Sequence, residues 1–127
     1  SGETAPFGFT KGKPWLPLTD AWKELTVEKQ SSDPKSTLNL YRSALKLRSE
    51  HLTTQGSITW LESPEHGTKS STLLAVRRGK VSIYMNLSDL PIEVEITGKL
   101  LIMSAGTVDG RDGKMTIPPV STIWVHH

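Results

Sequence analysis

At 127 residues the chain is long enough for one domain with its own core. Fifteen Lys and Arg against thirteen Asp and Glu leave a net charge of only +2, interleaved in sign as in Lys23-Glu24 and Glu28-Lys29, so the concentrated positive patch that nucleic acid demands is not expected. The absence of cysteine removes disulfides, thiolate catalysis and thiolate metal sites, and no apolar stretch approaches the ~20 residues that cross a bilayer.

Ser1-Gly2-Glu3-Thr4 shows no charged region followed by an apolar run, so no signal peptide is read there, and the expected compartment is the cytoplasm. Segment 1–20 is interrupted by Pro6, Gly8, Gly12, Pro14 and Pro17, which fix φ or loosen the backbone and predict an irregular, extended arm. Linkers of that kind are usually polar. This one carries Phe7, Phe9, Trp15, Leu16 and Leu18, which predicts that it packs against something. A helix is then expected from Asp33 as N-cap, through Pro34 at the first helical position, to about His51, ending before Gly56. Leu38, Tyr41, Leu45, Arg48 and Leu52 share one side of it, Leu40, Ala44 and Leu47 widen the apolar face, and Arg42, Lys46 and Glu50 fall on the polar side.

From there the apolar period shortens to two. Strands are predicted at Ser57–Glu62, Thr72–Arg77, Val81–Leu87, Ile92–Ile96, Leu100–Ser104, Lys114–Ile117 and Thr122–His126, with turns at Arg78-Gly79, Thr97-Gly98 and Asp109–Gly113. The fold class expected is mainly β, a small antiparallel β-sandwich preceded by an irregular arm and one α-helix, divided into residues 1–55 and 56–127.

Candidate chemistry is sparse. His51, His66, His126 and His127 have no partner at a metal-ligand spacing, and His126-His127 read as a frayed terminus or tag remnant. Glycoside hydrolysis needs two carboxylates across a bond, one of them in an apolar pocket. Most carboxylates here fall in turns, caps or the polar helix face, and Glu93 and Glu95 alternate with Ile92, Val94 and Ile96 as on the solvent side of a strand. There is no G-x-S-x-G elbow and no phosphate loop, so Gly106, Gly110 and Gly113 are read as turn residues. Of the four tryptophans, Trp60 and Trp124 are expected in the core. Trp15 and Trp22 either pack against a missing neighbour or line a cleft where their faces stack on sugar rings.

The run Phe7-Gly8-Phe9-Thr10, then Gly12-Lys13-Pro14-Trp15-Leu16-Pro17, Leu25-Thr26-Val27-Glu28-x-Gln30, Asp33-Pro34-x-Ser36, Leu40-Tyr41-Arg42 and Leu45-x-Leu47-Arg48, resembles α-glucosidases of the α-amylase family (glycoside hydrolase family 13). There the matching stretch is the loop after the eighth strand of a (β/α)8 barrel, followed by the eighth helix. Tyr84-Met85-Asn86-Leu87-Ser88 and Ile117-Pro118-Pro119-Val120-Ser121 resemble the C-terminal β-sandwich that follows it. The resemblance implies a remnant of the barrel (1–55) and a C-terminal domain (56–127) of a retaining enzyme that releases terminal α-linked glucose from oligosaccharides. Its catalytic carboxylates belong to barrel strands four, five and seven, which precede the matched segment. The resemblance therefore assigns no catalytic residue, metal or cofactor to this chain. It makes Phe7 and Phe9 the substrate-proximal candidates, because the segment after a barrel strand lies on the catalytic face. The implied partner is the missing barrel, through which alone oligosaccharide is met. The open helix face offers a route to self-association, and neither nucleic acid nor membrane is expected as a partner.

Two other readings stand beside this one. One is a carbohydrate-binding module stacking sugar on Trp15, Trp22 or Trp60, which two coplanar exposed rings would favour. The other is part of a transglycosylating sucrose or trehalose isomerase, which this stretch of chain does not separate from a hydrolase.

Overall fold

The computed structural model describes residues 4–52, 56–61, 72–111 and 113–127. Contacts gather into two compact units, Ser1–Leu45 and Lys46–His127.

In the first unit the arm is irregular to Thr19 and then coils, through a 3-10 helix at Asp20–Leu25, into α1 (Val27–Ser32). Thr26 caps α1, its hydroxyl accepting the Lys29 N–H at 3.4 Å. The arm therefore holds helical turns beyond the one helix expected. α2 spans Thr37–His51 and stops where predicted, but it starts four residues after Asp33. Asp33 sits in an extended conformation, as a residue before proline must. Its carboxylate accepts the Lys35 N–H at 2.9 Å, which closes a turn instead of opening a helix. Ser36 takes the cap, its Oγ accepting the Asn39 N–H at 3.2 Å. The α1–α2 corner is locked from both sides: Gln30 Oε1 accepts from the Leu38 N–H at 3.1 Å, and Asn39 Nδ2 donates to the carbonyls of Gln30 and Asp33. No residue of α2 is buried. Leu40, Ala44, Leu47 and His51 form its half-buried side, whereas Tyr41 and Leu45, expected on the packed face, remain 64% and 59% exposed.

The second unit opens with the last turns of α2, from Lys46, and is otherwise the sandwich. Its strands are β1 (Thr59–Trp60), β2 (Leu73–Arg78), β3 (Val81–Asn86), β4 (Ile92–Glu95), β5 (Lys99–Met103), β6 (Asp109–Arg111), β7 (Lys114–Ile117) and β8 (Ser121–His126). A five-stranded sheet in the order β1-β2-β3-β8-β5 faces a three-stranded sheet β4-β7-β6, antiparallel throughout. Leu73, Ala75, Tyr84, Ile123 and Val125 from the first sheet meet Val94, Ile96 and Ile117 from the second in one buried cluster. Every predicted strand is present within a residue or two except the first, which pairs only with β2 and shrinks to Thr59–Trp60 (its predicted end at Glu62 lies outside the described residues). The stretch read as a turn at Asp109–Gly113 instead forms β6 up to Arg111, and Gly113 turns the chain at φ 79. The β2–β3 turn is Gly79-Lys80, with Gly79 at φ 59 in its first central position as a primed turn requires.

The five-stranded sheet is apolar on both faces. On the side away from the core, Trp60, Val76, Ile83, Trp124 and Ile102 pair in one row across all five strands. That row corrects the expectation that Trp60 and Trp124 lie in the core: Trp60 is 69% exposed at the sheet edge and Trp124 is half-buried on the outer face. The C-terminus is also better anchored than a frayed end. β8 runs to His126, the His127 N–H donates to the Lys80 carbonyl at 2.9 Å, and the His127 ring meets the buried Ser82 hydroxyl at 2.8 Å.

Val120, before β8, holds φ 47 and is 72% exposed. A β-branched side chain in the left-handed region is strained by about 1–2 kcal/mol. Val120→Gly is expected to raise the melting temperature by a few degrees in a calorimetric scan. An unchanged or lowered value would mean that the strain is compensated by contacts this substitution removes.

Candidate functional site

Two consecutive turns shape the start of the arm: Phe7 N–H donates to Thr4 O at 2.8 Å, and Phe9 N–H to Pro6 O at 2.9 Å. They hold Phe7 at φ 54 and Gly8 at φ 77. A bulky residue in that region signals a backbone held by its surroundings. The bend brings Phe7 and Phe9 opposite the 3-10 helix and the start of α1. Pro6, Phe7, Gly8, Phe9, Leu18, Trp22, Leu25, Thr26 and Val27 line an open cleft of about 620 Å³. Three of the four residues singled out from the sequence, Phe7, Phe9 and Trp22, thus share one site. The fourth, Trp15, is 95% exposed and lies outside it, and no ring contact joins it to Trp22.

The lining holds no carboxylate, imidazole, amine or guanidinium. Its one hydroxyl, on Thr26, is engaged in capping α1, which leaves the Trp22 indole N–H as the other polar group of its side chains. A sugar site places a few convergent donors and acceptors around an apolar platform. Here the platform exists without them. The cleft can bury apolar surface and cannot move a proton.

The carboxylates elsewhere keep to surface roles. Glu93 and Glu95 point outward from β4, as their alternation predicts. Glu93 pairs with Lys114 at 2.8 Å, and this hydrogen bond, with the charges of Glu93 and Glu95, raises the Lys114 pKa. Glu24 pairs with Lys29 at 3.2 Å, and Glu50 lies 3.9 Å from Lys46 along α2. Exposed pairs of this kind contribute little to stability. Among the described residues, no group of three or more His, Cys, Asp or Glu converges as a metal site, and no helix is long and apolar enough to cross a membrane.

Residues 2–56 match the α-amylase catalytic domain family. An α-glucosidase of Candida albicans is 48% identical over 44 residues, 35% of this chain and 8% of the relative. An oligo-1,6-glucosidase of Halalkalibacterium halodurans is 31% identical over 112 residues, 80% of this chain and 19% of the relative. Among solved structures, the trehalulose synthase of Pseudomonas mesoacidophila superposes with a TM-score of 0.77 at 21% identity, covering 98% of this chain and 24% of its own; at that identity the likeness is one of fold. The chain thus spans less than a quarter of each of these proteins. Its arm and first helices fall within the stretch that matches the α-amylase catalytic domain family, and the chain is similar there to glucosidases of that family.

Proposed function

We propose that this chain is the C-terminal part of an α-glucosidase that releases terminal α-linked glucose from oligosaccharides, and that by itself it is structural and inactive. The observation that carries the reading is the pairing of a catalytic-domain match over residues 2–56 with a cleft that holds no acid or base. Residues 1–55 would complete the barrel and 56–127 form the domain that follows it. The remainder of the barrel is the partner, and the whole protein is cytoplasmic. Two exposed apolar surfaces support this. Phe9, Trp15, Leu16, Leu25 and Val27 are each more than half exposed in the first unit, and on the outer face of the sandwich Trp60, Leu74 and Met85 are 69%, 41% and 37% exposed. Apolar area of that extent gains stability when another part of the protein covers it. Phe7 and Phe9 would then border the substrate from the loop on the barrel's catalytic face. Whether the whole enzyme passes glucose to water or, as an isomerase does, to a sugar would be decided by barrel residues.

The isolated chain is expected to release no glucose from an α-glucoside. Protein captured from source cells with an antibody against the chain should exceed 14.0 kDa severalfold and hydrolyse the same substrate. A native species of 14.0 kDa, or a captured heavier species without activity, would sink the proposal and return attention to the Trp15 and Trp22 sugar platform.

A further inference from the structure

We propose that one end of the five-stranded sheet binds a phosphate group, through Arg78, Lys99, His126 and His51. The register builds the site. Arg78 pairs with Val81, Val81 with His126, and His126 with Lys99, so these four positions form one row across β2, β3, β8 and β5. Directly opposed residues of antiparallel strands project to the same face. Val81, the apolar member of the row, is fully buried between Arg78 and His126. His51, the last residue of α2, brings its ring to 5.1 Å from the His126 ring, tilted by 59°. Lys80, in the adjoining turn, adds a further exposed cation.

Arg78, Lys80 and Lys99 place three formal cations at this corner. The Arg78 Nε is buried and has no hydrogen-bond partner, although a guanidinium carries five donors that need acceptors. Among the described residues, none of the carboxylates answers it. Glu50 is turned to Lys46 along the helix, and Glu93 and Glu95 belong to the second sheet. A forked guanidinium, an ammonium and two imidazoles supply donors in excess of acceptors, which is the complement of a tetrahedral oxyanion. Two imidazoles at this separation would also suit a divalent cation, but the flanking Arg78 and Lys99 repel one, and no third ligand converges. The cationic row also escapes a search along the sequence, because its charged and imidazole members come from three strands and a helix. It is independent of the glucosidase reading.

The test is a titration of the full chain with inorganic phosphate, and in parallel with glycerol 2-phosphate, followed by amide and imidazole NMR signals at fixed pH and ionic strength. Saturable shifts are expected at Gly79–Val81, Lys99, His126 and the His51 ring, with chloride at matched ionic strength producing none. Arg78→Gln should weaken the apparent Kd roughly tenfold and Lys99→Gln roughly threefold. Lys114→Gln, on the second sheet, should leave it unchanged. Tighter binding of the ester would point to a phosphorylated small molecule, and equal binding to the phosphate group alone. Shifts that fail to saturate, or a Kd unaltered in Lys99→Gln, would overturn the proposal even if Arg78→Gln does not fold.

Discussion

Replacing Asn86 with alanine is expected to destabilise the sandwich by about 3–4 kcal/mol, one of the two largest losses expected from any single substitution in the chain. Asn86 ends β3 with its side chain 1% exposed, and every polar atom of its amide is used. Nδ2 donates to Leu90 O at 2.8 Å, Pro118 O at 3.0 Å and Ile117 O at 3.2 Å. Oδ1 accepts from the Ser88 N–H at 2.9 Å and the Ser88 hydroxyl at 2.8 Å. One amide thus ties the β3–β4 turn to the β7–β8 connection, joining the two sheets at one end. Alanine removes all five of these hydrogen bonds in a site that water reaches poorly: the Ser88 N–H loses its acceptor and Ile117 O a donor, while Leu90 O and Pro118 O keep only the Ser88 and Ser121 hydroxyls, and each buried group left unpaired costs about 1–3 kcal/mol before relaxation. Asn86→Asp separates polarity from geometry. A carboxylate facing three carbonyl oxygens disfavours its charged form, so its folded-state pKa is raised above the unfolded value. The penalty is then largest at neutral pH and shrinks as pH falls and the acid protonates into a donor. Urea unfolding at pH 7 and pH 4.5, each referenced to the wild type, should show the N86D deficit narrowing at the lower pH, while N86A keeps a constant one. A deficit for N86A under about 1 kcal/mol would mean that water enters and replaces the amide.

The parts of this fold that could be read in the sequence are those where one physical signal dominates. Ile92-Glu93-Val94-Glu95 alternates because only one face of β4 meets the core, and the strand was expected where it lies. The end of α2 at His51 follows from the loss of helical periodicity before Gly56. Structure and expectation part where two signals compete. Asp33-Pro34 carries the marks of a helix start, yet α1 already occupies the preceding turn, so the Asp33 side chain bonds the Lys35 N–H and the cap passes to Ser36. A six-residue helix such as α1 is too short to show periodicity, although Thr26 as its cap was a signal within reach. Trp60 and Trp124 lie outside the core because the five-stranded sheet is apolar on both faces, and a period of two then no longer says which face is inside. The cleft was legible in part. Phe7, Phe9 and Trp22 stood out as aromatics in a segment broken by proline and glycine, but the turns that gather them, and leave Trp15 aside, depend on positive φ at Phe7 and Gly8.

Gly98→Ala should cost about 3 kcal/mol, for a reason set by backbone rather than chemistry. Gly98 precedes β5 at φ 141, a conformation that residues with a Cβ rarely adopt. A Cβ built there would lie 2.6 Å from the His126 carbonyl oxygen and 2.7 Å from Val125 Cγ1. Real Cβ atoms do not approach backbone oxygen so closely, and the oxygen is fixed by the β8 ladder. Either β5 slides from β8 at the Lys99–His126 pair, or the chain at Gly98 changes φ and loses its entry into the strand. Gly113→Ala is the control that divides strain from collision, since Gly113 has φ 79 but nothing within 4 Å of a Cβ. It should lose only about 1 kcal/mol, the usual difference between glycine and alanine in the left-handed region. Thermal melts should place G98A roughly 10–20 °C below the wild type and G113A within a few degrees to either side of a 5 °C loss. Equal losses for the two would show that β5 has room to move away from β8. A much larger loss for G98A would establish that close approach of Gly98 to the last strand fixes where β5 begins, and with it the position of Lys99 in the cationic row.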